Sequence, residues 1–207
     1  MILCDIGNTT YHFLDEKSSY KKYIKDFNPA NFKEKVFYIS VNKNVEKELE
    51  NLINWINIES FIDRTNYYKT MGIDRIVACE AINDGIIIDA GSAITVDVMS
   101  NGFYMGGFIY PGVRSMGETY KKISVALDYD FNFDIQLNQL PKNSKDSITY
   151  GFLKGLYTEV YSYNKKIYLT GGDADLFSHI FIDAIIDKDM IFRAMKKFIS
   201  IHLKSEC

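Results

Sequence analysis

A chain of 207 residues with 47% hydrophobic and 25% charged side chains can bury a real core, which argues against disorder and leaves either one domain or two compact ones. The formal net charge is −3, and the densest basic pieces, Lys121-Lys122, Lys165-Lys166 and Lys196-Lys197, are isolated pairs, so neither nucleic acid nor a membrane surface is an expected partner. Cys4, Cys79 and Cys207 are odd in number and far apart with no CxxC, which argues against a disulfide framework or zinc site and suits a reducing cytoplasm.

In chain order, Ile2 to Asp5 reads as a short apolar strand closed by the turn residues Gly7-Asn8-Thr9, with Tyr11 to Leu14 returning and Tyr20 to Ile24 as a third strand. Val36 to Val41 is a buried-strand pattern. Asn44 to Trp55 carries Val45, Leu49, Leu52 and Ile53 at helical spacing, and Ile56 to Ile62 reads as a further strand. A short helix is expected over Ile76 to Ile82. Gly85 to Asp89 then opens a second cycle, again a strand ending on aspartate with a glycine two residues on. Ala93 to Met99 returns, Asn101-Gly102 is a two-residue hairpin turn, and Phe103 to Ile109 runs back. Ser144 to Asn164 is a long helix with Ile148, Phe152, Leu156 and Val160 on one face; Ile167 to Leu169 is a strand opening onto Thr170-Gly171-Gly172; Met190 to Leu203 is a last amphipathic helix. No apolar run approaches the ~20 residues of a membrane span, and the N-terminus lacks the basic-then-apolar pattern of a signal peptide.

The two halves share an order of elements without sharing sequence. That order implies two lobes, 1–84 and 85–207, each a mixed sheet flanked by helices, with a ligand cleft expected between them. Asp5-Ile6-Gly7-Asn8-Thr9 and Asp89-Ala90-Gly91-Ser92-Ala93 are the chemistry-bearing turns. In each, a strand end offers a carboxylate for a hard cation, a glycine lets phosphate approach the backbone, and the following amides and hydroxyls can donate to phosphate oxygens. An ordinary hairpin explains either turn alone; the pair, one opening each half, points to a polyphosphate. Thr170-Gly171-Gly172-Asp173 adds a glycine pair against which a flat ring or ribose phosphate could lie. The P-loop and protein-kinase signatures are both missing.

Taken together, DIGNT at 5–9, GIDR at 72–75, DAGSA at 89–93, GGFIYPG at 106–112 and TGGD at 170–173 resemble, in order and spacing, the type III pantothenate kinases of the acetate-kinase and actin-like superfold. The resemblance implies two actin-like (ribonuclease H-like) lobes, ATP with Mg²⁺, a monovalent cation (K⁺ or NH₄⁺), pantothenate as acceptor and a homodimer. By the same resemblance, Asp74 is the general base and Gly72, Ile73, Asp74 and Arg75 form the pantothenate segment. Tyr68, with Tyr67 beside it, and Ser144 are further substrate contacts. Asp89 is the monovalent-cation ligand; from the chemistry of the first turn, Asp5 is expected to hold Mg²⁺, directly or through water. Ile6, Gly7, Asn8, Thr9, Ser92, Gly171 and Gly172 contact nucleotide. Arg75 suits the pantothenate carboxylate because its guanidinium can bond in a fork. Without the other motifs, Asp74-Arg75 would read simply as the first turn of a helix. The remaining alternatives are a kinase or phosphohydrolase of this fold acting on another small metabolite, and a non-catalytic accessory protein on the same scaffold.

Overall fold

The computed structural model describes residues 1–205; Cys207 lies outside them. The chain forms two compact units, residues 1–81 together with the chain from Asp189 onward, and Ile82–Lys188. The sequence placed a single division at 84/85. The contacts divide the chain at 81/82 and again at 188/189, because the last helix packs with the first unit.

That first unit holds β1 (Ile2–Ile6), β2 (Thr10–Leu14), β3 (Ser19–Tyr23), β4 (Val36–Ser40), α1 (Lys43–Leu49), β5 (Trp55–Asn57), α2 (Ile73–Cys79) and α6 (Met190–Ser205). Its sheet runs β3-β2-β1-β4-β5, with β1 antiparallel to β2 and parallel to β4. Side chains alternate across a strand. Cys4, Ile6, Tyr11, Phe13, Val36 and Tyr38 therefore share a buried face with Val45 and Leu49 of α1 and with Trp55. This layer is aromatic: the Phe13 ring lies 5.2–6.1 Å from those of Tyr20, Phe27, Phe32 and Trp55. The indole of Trp55 donates to the Pro29 carbonyl at 3.3 Å, so its one polar atom is satisfied. On the other face, α6 packs on β1 and α2, and α2 packs on β4.

The helix expected to reach Trp55 stops at Leu49. Asn42 caps its start, its side chain accepting from the amides of Asn44 and Val45. Past its end, Leu52 and Trp55 make consecutive turns, and Asn54 donates to the carbonyls of Phe32 (2.8 Å) and Glu34 (3.0 Å). Those bonds steer Trp55 into β5 beside Val36. Ile53, placed by its spacing on the buried face, is 99% exposed as a result. The strand expected over 56–62 is only Trp55–Asn57, followed by a 3-10 turn at Glu59–Phe61.

The second unit holds β6 (Gly85–Ala90), β7 (Ala93–Ser100), β8 (Phe103–Pro111), α3 (Val113–Ile123), α4 (Ser144–Ser162), β9 (Ile167–Thr170), α5 (Ala174–Phe177) and β10 (Ile185–Ile186). Its sheet runs β10-β9-β6-β7-β8 around a core that includes Ile86, Ile88, Ile94, Val96, Phe152, Leu153, Leu156 and Phe177. The expected Asn101-Gly102 turn is present with φ of 51° and 82°, the paired positive values of a tight hairpin turn. Helix α3 had no counterpart in the sequence reading.

Read from its hairpin edge, the second sheet is β8-β7-β6-β9-β10. Neighbours pair antiparallel, antiparallel, parallel and parallel, the same succession as β3-β2-β1-β4-β5 in the first. Each lobe is thus the expected mixed sheet flanked by helices, and the repeat is one of topology. Among the described residues no helix is long and apolar enough to cross a membrane.

Candidate active site

In the first unit the Asp5–Thr9 turn joins β1 to β2, the hairpin of the central strand. Asp5 is half-buried and pairs in register with His12. The Gly7 amide donates to the Thr10 carbonyl at 3.0 Å. A side chain at Gly7 would meet only that carbonyl, at 3.8 Å, so packing alone does not demand glycine there and the backbone stays open to a ligand. Asn8 and Thr9 are exposed. Ile6 contributes no side chain: it is fully buried in the core, and its carbonyl accepts from Val41 at 3.0 Å. Asn42, which caps α1, also donates to the Asn8 carbonyl at 3.4 Å. Sequence reasoning did not single out this brace, although an Asn two residues past a buried strand and just before a helix is a capping signal.

The GIDR segment forms the start of α2. Gly72 is its N-cap with no side-chain capping bond, and Asp74 sits in the first turn. Asp74 Oδ1 accepts from the Arg75 amide at 2.8 Å, which fixes the carboxylate at the helix start. A Cβ at Gly72 would lie 2.5 Å from that Oδ1, so glycine here makes room for the carboxylate. Arg75 is 7% exposed and its Nη1 donates to the Tyr68 hydroxyl at 2.6 Å. Tyr67 instead donates to Glu80 at 2.8 Å. The geometry therefore groups Tyr68, Asp74 and Arg75, and turns Tyr67 toward the far end of α2. Ile73 is buried and offers only its backbone.

In the second unit the DAGSA turn joins β6 to β7, the equivalent position in the equivalent sheet. Asp89 is half-buried and Ser92 exposed. Two other motifs close on this turn. Gly171, at φ +88°, is so near that a Cβ would lie 2.3 Å from Asp89 Oδ1 and 2.5 Å from the Ala90 carbonyl; the Asp173 amide donates to that carbonyl at 2.9 Å. Gly112, N-cap of α3, comes equally close: its Cβ would lie 2.4 Å from the Ser92 carbonyl and 2.5 Å from that of Gly91. DAGSA, the end of GGFIYPG and TGGD thus meet at one end of β6. Gly112 is required by this close approach of backbone to backbone, and Gly171 both by its approach to Asp89 and Ala90 and by its positive φ. Gly112 carried no role of its own in the sequence reading, and its place after proline at the end of a strand is the signal that marked it. Ser144 stands apart from these contacts, on the exposed first turn of α4 behind its N-cap Asn143.

No group of three or more His, Cys, Asp or Glu able to hold a metal occurs among the described residues. Single strand-end carboxylates fit the way Mg²⁺ is usually held beside a nucleotide, by one or two carboxylates plus phosphate oxygens and water.

The sequence model of the type III pantothenate kinases matches residues 11–166. The curated type III pantothenate kinase of Sulfurimonas denitrificans is 58% identical over 196 residues, 95% of this chain and 96% of its own. That of Campylobacter jejuni is 42% identical over 201 residues, 96% of each. A crystal structure from Campylobacter jejuni, described as a conserved Baf family transcriptional activator, superposes with a TM-score of 0.89 at 41% identity, covering 99% of this chain and 100% of that one. A Sinorhizobium meliloti structure described as a 2-dehydro-3-deoxygalactonokinase shares the fold alone, with a TM-score of 0.56 at 9% identity over 95% of each chain. Motifs, paired topology and full-length relatives agree, and the chain belongs to the type III pantothenate kinase family.

Proposed function

We propose that this protein transfers the γ-phosphoryl group of ATP to the primary hydroxyl of pantothenate, giving 4'-phosphopantothenate, the first step of coenzyme A biosynthesis. The observation that carries this reading is the repeated placement of an Asp-x-Gly turn on the central strand of both sheets, Asp5 on β1 and Asp89 on β6. Phosphoryl transfer needs positioning and charge neutralisation more than covalent chemistry from the protein. The amides of Gly7 to Thr9 and the Ser92 hydroxyl bind phosphate oxygens, and the backbone at Gly171-Gly172 takes the nucleotide. Asp5 would hold Mg²⁺ through water and Asp89 would hold K⁺ or NH₄⁺, and these ions would offset the charge on the transferred group. Arg75, steadied by Tyr68, pairs with the pantothenate carboxylate, and Ser144 binds the same substrate. Asp74, fixed by the Arg75 amide, accepts the hydroxyl proton.

The protein acts as a homodimer in this reading. β8 is an edge strand whose outward residues Phe103, Met105 and Ile109 are 59%, 64% and 60% exposed, an apolar edge that a second copy would cover. Buried free thiols at Cys4 and Cys79 suit a reducing cytoplasm.

A coupled ADP-release assay with and without pantothenate tests the function. Turnover that requires pantothenate, Mg²⁺ and K⁺ or NH₄⁺ is expected. Pantothenate-independent turnover would instead indicate a phosphohydrolase, and turnover only with another acceptor a different small-metabolite kinase. The name given to the Campylobacter jejuni structure favours one further reading, an accessory regulator, for which no turnover under any condition is the signature.

A further inference from the structure

We propose that Arg64, which none of the motifs contains, is a positioning residue for the pantothenate segment; the inference rests on the functional reading above and concerns only the acceptor half of it. Arg64 is half-buried between the 3-10 turn at Glu59–Phe61 and α2. Its Nη1 is paired with Glu59 Oε1, and its Nη2 donates to the Met71 carbonyl at 2.7 Å. A planar guanidinium can serve two acceptors at fixed angles, which an ammonium cannot. The Met71 carbonyl is a consequential place to hold. Met71 is 2% exposed, its amide donates to the Tyr68 carbonyl at 3.0 Å, and Gly72 follows it. One turn therefore carries Tyr68 at its start and delivers the chain to Gly72 at its end.

Little play is left downstream. Asp74 Oδ1 occupies the space a Gly72 side chain would take, and the Tyr68 hydroxyl meets Arg75 at 2.6 Å. The upstream end is equally tied. The Glu59 amide donates to Asn57 Oδ1 at 2.8 Å on β5, and Phe61 stacks on His202 of α6 at 3.7 Å. Sheet and helix thus fix Glu59, Glu59 orients Arg64, and Arg64 sets the turn that presents Tyr68 and Gly72–Arg75 to the acceptor. An ion pair exposed to this degree, 34% and 32% at the two side chains, adds little global stability, so its effect falls on local geometry.

Steady-state kinetics of Arg64→Met, Arg64→Lys, Glu59→Gln and the Arg64→Met/Glu59→Gln double variant, with ATP and pantothenate varied separately and Tm measured alongside, test this. Arg64→Met is expected to raise KM for pantothenate about tenfold while KM for ATP stays within about twofold. Arg64→Lys recovers part of the loss, Glu59→Gln shifts the same constant less, and the double variant is no worse than Arg64→Met alone. An unchanged KM for pantothenate, or equal rises in both constants, overturns the proposal. Should Arg64→Met fail to fold, the Lys and Gln variants must show the same split or the proposal fails. Wild-type protein with no pantothenate-dependent ADP release would reject the functional reading itself, a result visible before any variant is made.

Discussion

Replacing Gly112 by alanine strikes the point where three motifs meet. The added Cβ would lie 2.4 Å from the Ser92 carbonyl oxygen, and ordinary contact begins near 3.4 Å, so relief requires 3.4 − 2.4 = 1.0 Å of separation. Neither side yields cheaply, because both are backbone. Gly112 accepts the Met116 amide at 2.9 Å in the first turn of α3, while the opposing turn is closed by Gly91 to Ala93 at 3.0 Å and braced by Asp173 to Ala90 at 2.9 Å. Overpacking of this kind costs about 1–3 kcal/mol, or roughly 2–4 °C in Tm per kcal/mol for a chain of this size. Its kinetic effect is of similar size, since a 1 Å misplacement of a positioning group lowers kcat/KM on the order of 10²-fold, about 2.7 kcal/mol. ADP release measured against ATP at saturating pantothenate, together with thermal unfolding, reads both. Gly117→Ala, on the same helix but with only the Phe131 ring at 3.8 Å, is the control and should keep or raise Tm. If Gly112→Ala retains wild-type kcat and KM for ATP, the Gly91-Ser92 turn does not hold nucleotide.

Asp74→Asn should lower kcat on the order of 10²-fold with nucleotide affinity nearly intact by calorimetry, and equal activity would remove the general-base assignment. Met105→Glu puts a charge on the apolar face of β8 and should shift the mass measured by light scattering from dimer to monomer; an unchanged dimer excludes this face as the interface. Burial, with Lys21 adding to it, lowers His12 from its ordinary 6.5 to about 4. Between those values the unfolded chain binds more protons than the folded one, so stability falls as pH drops through about 6.5 toward about 4. His12→Gln should flatten the denaturation midpoint over that window, and an unchanged slope would assign the acid sensitivity elsewhere.

Much of this architecture was legible in the residues themselves. Apolar runs closed by aspartate and glycine located β1 and β6, Asn101-Gly102 located the β7–β8 hairpin, and a strict four-residue spacing located α4. What escaped depended on partners distant in sequence. The apolar spacing of 44–55 continues past Leu49, but Asn54 bonding back to the loop before β4 ends the helix early. Helix α3 carries Val113, Met116, Tyr120 and Ile123 at helical intervals, yet none is fully buried, and the Pro-Gly before it read as the end of a motif instead of the beginning of a helix. At the site, the aspartates and glycines announced themselves by pattern. The reasons for those glycines did not: that Gly72 yields to the Asp74 carboxylate, and Gly112 and Gly171 to the turn between β6 and β7, appears only in three dimensions. Arg64 and Asn42 lay outside every motif because what they hold is main chain.

The return of α6 to the first unit has a bearing on biosynthesis. Every strand of the β1 sheet leaves the ribosome early, but the helix that covers one of its faces is translated after all of Ile82–Lys188. β1 must wait with that face incompletely covered while the second unit, whose core is contiguous in sequence, is free to close first. Premature termination before Met190 would thus leave β1 without its helix on one face.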